Sequence, residues 1–257
     1  MSNKDNSAAN KNNFDTILVL DFGSQYTQLI ARRVREMNVY SEILPWDISS
    51  DRIKELNLKG IILSGGPESV TNSNTPRAPE IIFELGIPIL GICYGMQTLA
   101  EQFGGQVAAS KIKEFGHAQI TIENTSSLFE GFDIGANIDV WMSHGDHVSS
   151  LPDAFNLIAS TESAPIAAME HAEKLIYALQ FHPEVTHTKE GGVVLENFVI
   201  KICNAAQSWK MEGLIEQKIS KIKKQVDDQK VLLGLSGGVD SSVTAMLLDQ
   251  AIGKNLI

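Results

Sequence analysis

The stretch Ile87-Pro-Ile-Leu-Gly-Ile-Cys-Tyr-Gly-Met-Gln97 constrains this chain more than any other. A short apolar run after Gly86 reads as a buried strand. Gly91-x-Cys93-x-Gly95 then turns the chain into a helical pattern of Met96, Leu99, Ala100 and Phe103, which stops at Gly104-Gly105. A strand, a tight glycine turn and a helix make the setting of a nucleophile elbow, with sulfur in place of oxygen. The glycines allow the sharp turn and a close approach of backbone. The turn is expected to place Cys93 at a helix N-terminus, where the helix dipole and free N–H groups favour the thiolate, the attacking species. Cys203 sits among Val199, Ile200 and Ile202 with no glycine turn and reads as a structural core cysteine.

Strands and helices alternate around this stretch. Thr16–Asp21 reads as an apolar strand ending in a carboxylate, and Phe22–Gln25 as a loop. A helix follows, with Tyr26, Ile30, Val34 and Met37 on one face and Arg32, Arg33 and Arg35 on a solvated side. Val39–Leu44 and Lys59–Leu63 read as further strands, and Pro79–Leu85 as a helix leading into the elbow. Such alternation implies right-handed crossovers and a mainly parallel sheet. The loops after Asp21, Leu63 and Ile92 then emerge at one sheet edge, where sites in such sheets lie. The chain next changes character. His117–Glu123, Asn137–Met142, Asn156–Ser160, Ile166–Glu170 and Leu175–Gln180 read as short strands of an antiparallel extension, and Val193–Cys203 as a closing helix. An amphipathic helix after Trp209, a strand Val231–Leu235 and a Gly/Ser loop Ser236–Ser242 opening another helix form a separate unit. One strand–loop–helix unit cannot bury a sheet, so the chain is expected to be a piece of a longer protein. The expected division is a disordered polar tail (1–13), a large α/β domain (14–207), and a linker helix with the start of a second domain (208–257).

A thiolate needs an acid–base partner. His182, in Phe181-His-Pro-Glu184, lies just past a strand, and Glu184 is placed to orient it as the third member of a triad. His144 and His147, in Met142-Ser-His-Gly-Asp-His147, are the rivals. Their spacing with Asp146 admits a metal site, but no third ligand of matching context accompanies it, so no metal is expected and the segment reads as a substrate-facing loop. Gly65-Gly66 at a strand end suits an oxyanion hole. Ser236–Ser242 suits phosphate, through N–H groups and hydroxyls at a helix N-terminus, without the lysine of a Walker A loop.

The charge excludes some partners. With 31 acidic against 21 basic residues and a net charge of -10, the surface does not suit nucleic acid. The polar N-terminus lacks the apolar core of a signal peptide, and no run is long enough to cross a bilayer. Two cysteines, one of them apt to react, fit a reducing compartment, so the expected location is cytoplasmic.

Gly91-Ile-Cys93-Tyr-Gly-Met-Gln97 together with Phe181-His182-Pro-Glu184 resembles the class I glutamine amidotransferases. Asp21–Arg33, Ile62–Glu68 and Trp141–Asp146 are similar to segments of those members that serve a purine-nucleotide ligase. Ser236-Gly-Gly-Val-Asp-Ser-Ser242 is similar to the pyrophosphate loop of the ATP pyrophosphatases. The resemblance implies an amidotransferase-like mixed, mainly parallel sheet flanked by helices, then part of a Rossmann-like ATP pyrophosphatase domain. It implies a Cys93–His182–Glu184 triad, oxyanion donors at Gly66 and Tyr94, and glutamine contacts at Gly65, Gln97, Ser143 and His144. It implies ATP contacts at Ser236, Gly237, Gly238, Val239, Asp240, Ser241 and Ser242. Glutamine hydrolysis itself would need no cofactor. The longer enzyme, a homodimer, would use ATP and Mg2+ to activate XMP for attack by the released ammonia. Two other readings are a stand-alone γ-glutamyl hydrolase or peptidase, and a non-catalytic regulatory module on the same fold.

Overall fold

The computed structural model describes residues 14–257, so the expected tail, residues 1–13, lies outside the described residues. These residues form two compact units, one running to Ser208 and the other from Trp209 to Ile257.

The first unit is built on one sheet. In chain order its strands are β1 (Thr16–Asp21), β2 (Tyr40–Pro45), β3 (Leu58–Leu63), β4 (Ile89–Ile92), β5 (Gln106–Ile122), β6 (Asn137–Ser150), β7 (Phe155–Ser160), β8 (Ala168–His171) and β9 (Ile176–Leu179). Their order across the sheet is β2-β1-β3-β4-β9-β8-β7-β5-β6. The five strands from β2 to β9 run parallel, and β8, β7, β5 and β6 extend the sheet with antiparallel pairings. The inner strands β1, β4 and β9 are apolar on both sides because both faces are covered. Their side chains alternate between two cores. Ile17, Val19, Ile62, Leu90, Ile92, Tyr177 and Leu179 enter one, and Leu18, Leu20, Ile61, Leu63, Ile89, Ile176 and Ala178 the other.

Helix α1 (Thr27–Glu36) covers the first core with Ile30, Ala31 and Val34, an amphipathic spacing. Helix α2 (Ser50–Lys54) supplies Ile53 to the second core, capped by the Ser49 hydroxyl, which accepts from Arg52 N–H. Helix α3 (Tyr94–Gln102) supplies Met96, Leu99 and Ala100 to the same core. Helix α4 (Gly191–Glu196) closes the first face and continues as a π-helical turn over Asn197–Ile202. The expected single helix over Val193–Cys203 is therefore two kinds of helix. The change coincides with buried Asn197, whose amide donates to Leu128 O (3.0 Å) and Glu130 O (2.9 Å).

Other expectations are corrected. Pro79–Leu85 contains only a 3-10 turn, Glu80–Phe83, short enough to be set by burying Ile82. Ser143–Asp146 is not a loop. β6 runs straight through it, paired with β5 by Phe115↔Ser143 and Glu114↔His144, and a bulge in β5 separates Glu114 from Ala109. Gly, Ser and Asp in this stretch imitate a turn, yet cross-strand pairing outweighs local propensity.

The second unit holds α5 (Met211–Val226) and α6 (Val239–Ile252). The expected strand Val231–Leu235 is reduced to a single parallel bridge, Val231↔Leu256. An apolar run becomes a strand only where neighbours cover it, and here Leu232 is 81% exposed and Leu235 64%.

Candidate active site

β1, β3 and β4 end at the same sheet edge, and the loops that follow them meet there. Ser64 stitches the three together. Its hydroxyl accepts from Phe22 N–H (3.0 Å), its N–H donates to Leu20 O (3.0 Å), and its carbonyl accepts from Gly95 N–H (3.1 Å). The Asp21 carboxylate fixes the first loop, accepting from Gly23 N–H (2.9 Å) and the Thr27 hydroxyl (2.7 Å). A cavity of about 580 Å³ opens between these loops and β6.

Cys93 lines this cavity from the top of β4. Its backbone has φ 53° and ψ -106°, a conformation that costs a non-glycine residue on the order of 1–3 kcal/mol. The packing around it enforces that conformation. A Cβ on Gly91 would lie 2.6 Å from Gly95 O, and one on Gly95 would lie 2.4 Å from Leu63 O. The Cys93 N–H donates to Leu179 O (2.7 Å), anchoring the turn to β9. The Sγ–H donates to Ser143 O (3.5 Å) on β6. Tyr94 is the first residue of α3, so its N–H precedes the intrahelical ladder.

His182 follows β9 and is buried with Glu184. Its Nδ1–H donates to Glu184 Oε1 at 2.7 Å, which leaves Nε2 for the Cys93 side. Glu184 Oε2 has no hydrogen-bond partner among the described residues, so the carboxylate's charge is answered mainly by the imidazole. Burial alone pushes His182 down. The Glu184 charge, with hydrogen bonds to Cys93 and Glu184, overrides burial and holds His182 well above the usual imidazole range. Tyr26 stands edge-on to the His182 ring, with 5.0 Å between centroids.

Two features that the sequence did not reveal hold this pair. The first is a closed ring of hydrogen bonds. His182 N–H donates to Trp141 O (3.0 Å), Trp141 N–H donates to Thr188 Oγ1 (3.0 Å), and the Thr188 hydroxyl donates to His182 O (2.7 Å). The second is Arg33, expected on a solvated side, whose Nε–H donates to Glu184 O (3.0 Å). Neither is a sequence motif; each depends on elements brought together by the sheet.

The remaining expected residues divide. Gly66, Gln97, Ser143 and His144 line the cavity. Gly65 is not among its lining residues. It packs behind His182, where a Cβ would lie 3.2 Å from Cε1. The Tyr94 side chain also points away, its hydroxyl donating to Pro76 O (2.7 Å). His144 is buried, and desolvation pushes its imidazole below the usual range; His147 adds to this and Glu114 opposes it. Its Nε2 stands 3.2 Å from Glu114 Oε2, but neither atom makes a hydrogen bond within the described residues. One cavity thus holds a histidine pushed toward the charged form and another pushed toward the neutral form. Cys203 lies buried against Gly60, and its burial pushes the thiol up, consistent with a core residue. Among the described residues no group of three or more His, Cys, Asp or Glu could hold a metal ion, and no helix is long and apolar enough to cross a membrane.

In the second unit, Ser236–Ser242 turns into α6. Gly237 has φ 81° and Gly238 caps the helix. The Ser241 and Ser242 hydroxyls both donate to Gly238 O (2.9 Å each), and Ser236 donates to Ser241 Oγ (3.0 Å). A Cβ on Gly237 would meet nothing within 4 Å.

The family model described as glutamine amidotransferase class-I matches residues 18–202, and the one described as NAD synthase matches 210–257. The glutamine-hydrolysing GMP synthase of Mannheimia succiniciproducens is 56% identical over 245 residues, covering 93% of this chain and 47% of that protein. The one from Escherichia coli O127:H6 is 56% identical over 246 residues, with the same coverage. The chain spans about half the length of these curated relatives. The crystal structure of a candidate GMP synthase subunit from Thermoplasma acidophilum superposes with a TM-score of 0.66 at 36% identity, covering 74% of this chain and 94% of that one. Since the match over residues 18–202 takes in the whole elbow and the His182–Glu184 pair, the chain belongs to the class-I glutamine amidotransferase family.

Proposed function

We propose that residues 14–207 are the amidotransferase domain of a glutamine-hydrolysing GMP synthase, with Cys93, His182 and Glu184 as its triad. The observation that carries this reading is the buried 2.7 Å His182–Glu184 pair beside a strained elbow cysteine at the cavity wall. The Cys93 thiolate attacks the side-chain amide carbon of glutamine and forms a C–S bond. The oxyanion is held by the Gly66 and Tyr94 N–H groups, the latter at the N-terminus of α3. His182 passes the proton on Nε2 to the amide nitrogen, the C–N bond breaks, and ammonia leaves a γ-glutamyl thioester. His182 then takes a proton from water, the resulting hydroxide attacks the thioester, and the C–S bond breaks to give glutamate and the thiolate. Gln97, Ser143 and neutral His144 offer polar groups for the amino-acid end of the substrate; Gly65 serves by giving His182 room.

Residues 208–257 are the linker and the start of an ATP pyrophosphatase domain. Two open glycines, three hydroxyls and the dipole of α6 suit a pyrophosphate, with Ser236, Gly237, Gly238, Val239, Asp240, Ser241 and Ser242 around it. Asp240 is the acidic residue in the first turn of α6, so Mg2+ would be held chiefly by the nucleotide's own phosphates. ATP with Mg2+ supplies the activation of XMP that prepares it for ammonia in the longer, homodimeric protein. Free Cys93 and Cys203 are in keeping with a cytoplasmic enzyme.

The test is labelling with a diazo-ketone analogue of glutamine, mapped by mass spectrometry with and without excess glutamine. Labelling at Cys93 alone, suppressed by glutamine, is expected. Labelling shared with Cys203 and indifferent to glutamine would overturn the assignment. Release of a peptide or amine in place of free ammonia would instead favour the γ-glutamyl peptidase reading.

A further inference from the structure

A pair of buried amides, Gln97 and Gln180, reaches the Cys93 sulfur, and of the two only Gln97 lines the cavity. Gln180 follows the last residue of β9 and is fully buried. Its backbone N–H donates to Ala167 O (2.9 Å), which fixes the main chain there. Its side-chain Nε2 lies 3.8 Å from Cys93 Sγ, within hydrogen-bonding distance for sulfur.

The direction of this contact follows from its neighbours. Gln97 Nε2 donates to Asp146 O (2.8 Å), and a carbonyl oxygen can only accept. The same Nε2 faces Gln180 Oε1 at 3.5 Å. Gln97 therefore fixes which end of the Gln180 amide points toward it, and the N–H end is left for the sulfur. Besides His182, Cys93 thus has two partners of opposite preference. The Ser143 carbonyl accepts from the thiol, while the Gln180 amide donates to a sulfur that carries charge. A buried amide is a costly way to fill a core position that Leu or Met fills without a polar group to satisfy.

We propose that Gln180 is a further catalytic residue: its side-chain N–H holds the Cys93 sulfur in its attacking position and stabilises the thiolate during attack and again on release from the thioester. This rests on the reading of Cys93 as the nucleophile. Gln97 acts through Gln180 as a positioning residue, in addition to lining the cavity.

The test is the rate of iodoacetamide alkylation at Cys93, resolved from Cys203 by mass spectrometry, in the full chain as wild type, Gln180→Leu, Gln180→Met and Gln180→Glu. Leu and Met keep the volume without the N–H; Glu places an acceptor against the sulfur. The expected result is about tenfold slower alkylation of Cys93 in the Leu and Met variants, the size of one hydrogen bond to a charged group, and slower still in the Glu variant. Cys203 alkylation should be unchanged in all four. Glutamine turnover should lose kcat with KM nearly constant. If either apolar variant that retains the wild-type melting temperature alkylates at the wild-type rate across pH, Gln180 is only a core spacer and the proposal fails. Iodoacetamide does not require glutamine recognition. A failure of glutamine to protect wild-type Cys93 would therefore sink the glutaminase reading while leaving the Gln180 measurement intact.

Discussion

Two glycine-rich turns lead into helices in this chain, and they are opposite in kind. In Gly91–Gly95 a Cβ on either glycine would collide with backbone, Cys93 is held at φ 53°, and α3 behind it is buried. In Ser236–Ser242 a Cβ on either glycine would meet no backbone, the hydroxyls bond to one another and to Gly238 O, and the loop is exposed. The first turn is defined by what the chain packs against it. The second presents donors whose natural complement is an external anion. Glycine serves both, once because there is no room for a side chain and once because a ligand must come close.

The largest expected effect bears on the first turn. Cys93→Ala should lower glutamine hydrolysis by about 10^4-fold or more, measured as ammonia release, because no other described thiol faces the cavity. Gly95→Ala should cost at least about 2 kcal/mol in urea unfolding, since its Cβ would lie 2.4 Å from Leu63 O. Gly238→Ala should stay within about 0.5 kcal/mol, because its backbone is extended (φ -82°, ψ 167°) and the nearest atom would be 3.5 Å away. Equal losses at both sites would break the distinction between the turns.

Smaller effects sharpen it by testing how the elbow's partner is held. Thr188→Val leaves His182 O and Trp141 N–H unpaired and should cost about 1–3 kcal/mol. It should lower kcat with little change in KM, and Thr188→Ser should restore most of both. Loss of stability without any kcat effect would show the ring to be structural alone. The smallest effect is a pH dependence. A histidine raised in the folded state stabilises the fold fully below its unfolded value, about 6.5, and that contribution is lost as pH rises through the folded value. The melting temperature of the wild type should therefore decline above about pH 6.5 more steeply than that of Glu184→Gln, where the carboxylate that raises His182 is gone. Parallel curves would mean that the pair does not hold the imidazolium.

The elbow was legible because its determinants are local: Gly91, Cys93 and Gly95 are spaced so that only a strand, a tight turn and a helix accommodate them. The pairing of His182 with Glu184 near Cys93 was legible because a thiolate would need such partners. Gln180, Thr188 and Arg33 were not, because their contacts arise from adjacency: β9 beside β4, Trp141 within β6 beside the loop after His182, and α1 against that loop. Val231–Leu235 failed as a strand for a related reason. Apolar composition states that a segment wants cover, but only neighbouring strands supply it. His144 was expected on a loop and lines the cavity from β6 instead, since polar small residues look alike in a turn and in a long hairpin strand.

The pairing of β4 with β9 also sets a schedule. Gln180 follows Cys93 by 87 positions, with His182 just beyond, and the Cys93 N–H is satisfied by Leu179. A ribosome adding about 5–20 residues per second needs on the order of 5–20 s to cover that distance. Throughout that interval the nascent thiol has neither His182 nor the strand that anchors its turn. If Cys93 and His182 act together as proposed, no chemistry is available until β9 docks, and a polypeptide arrested before that point carries the cysteine without its partner.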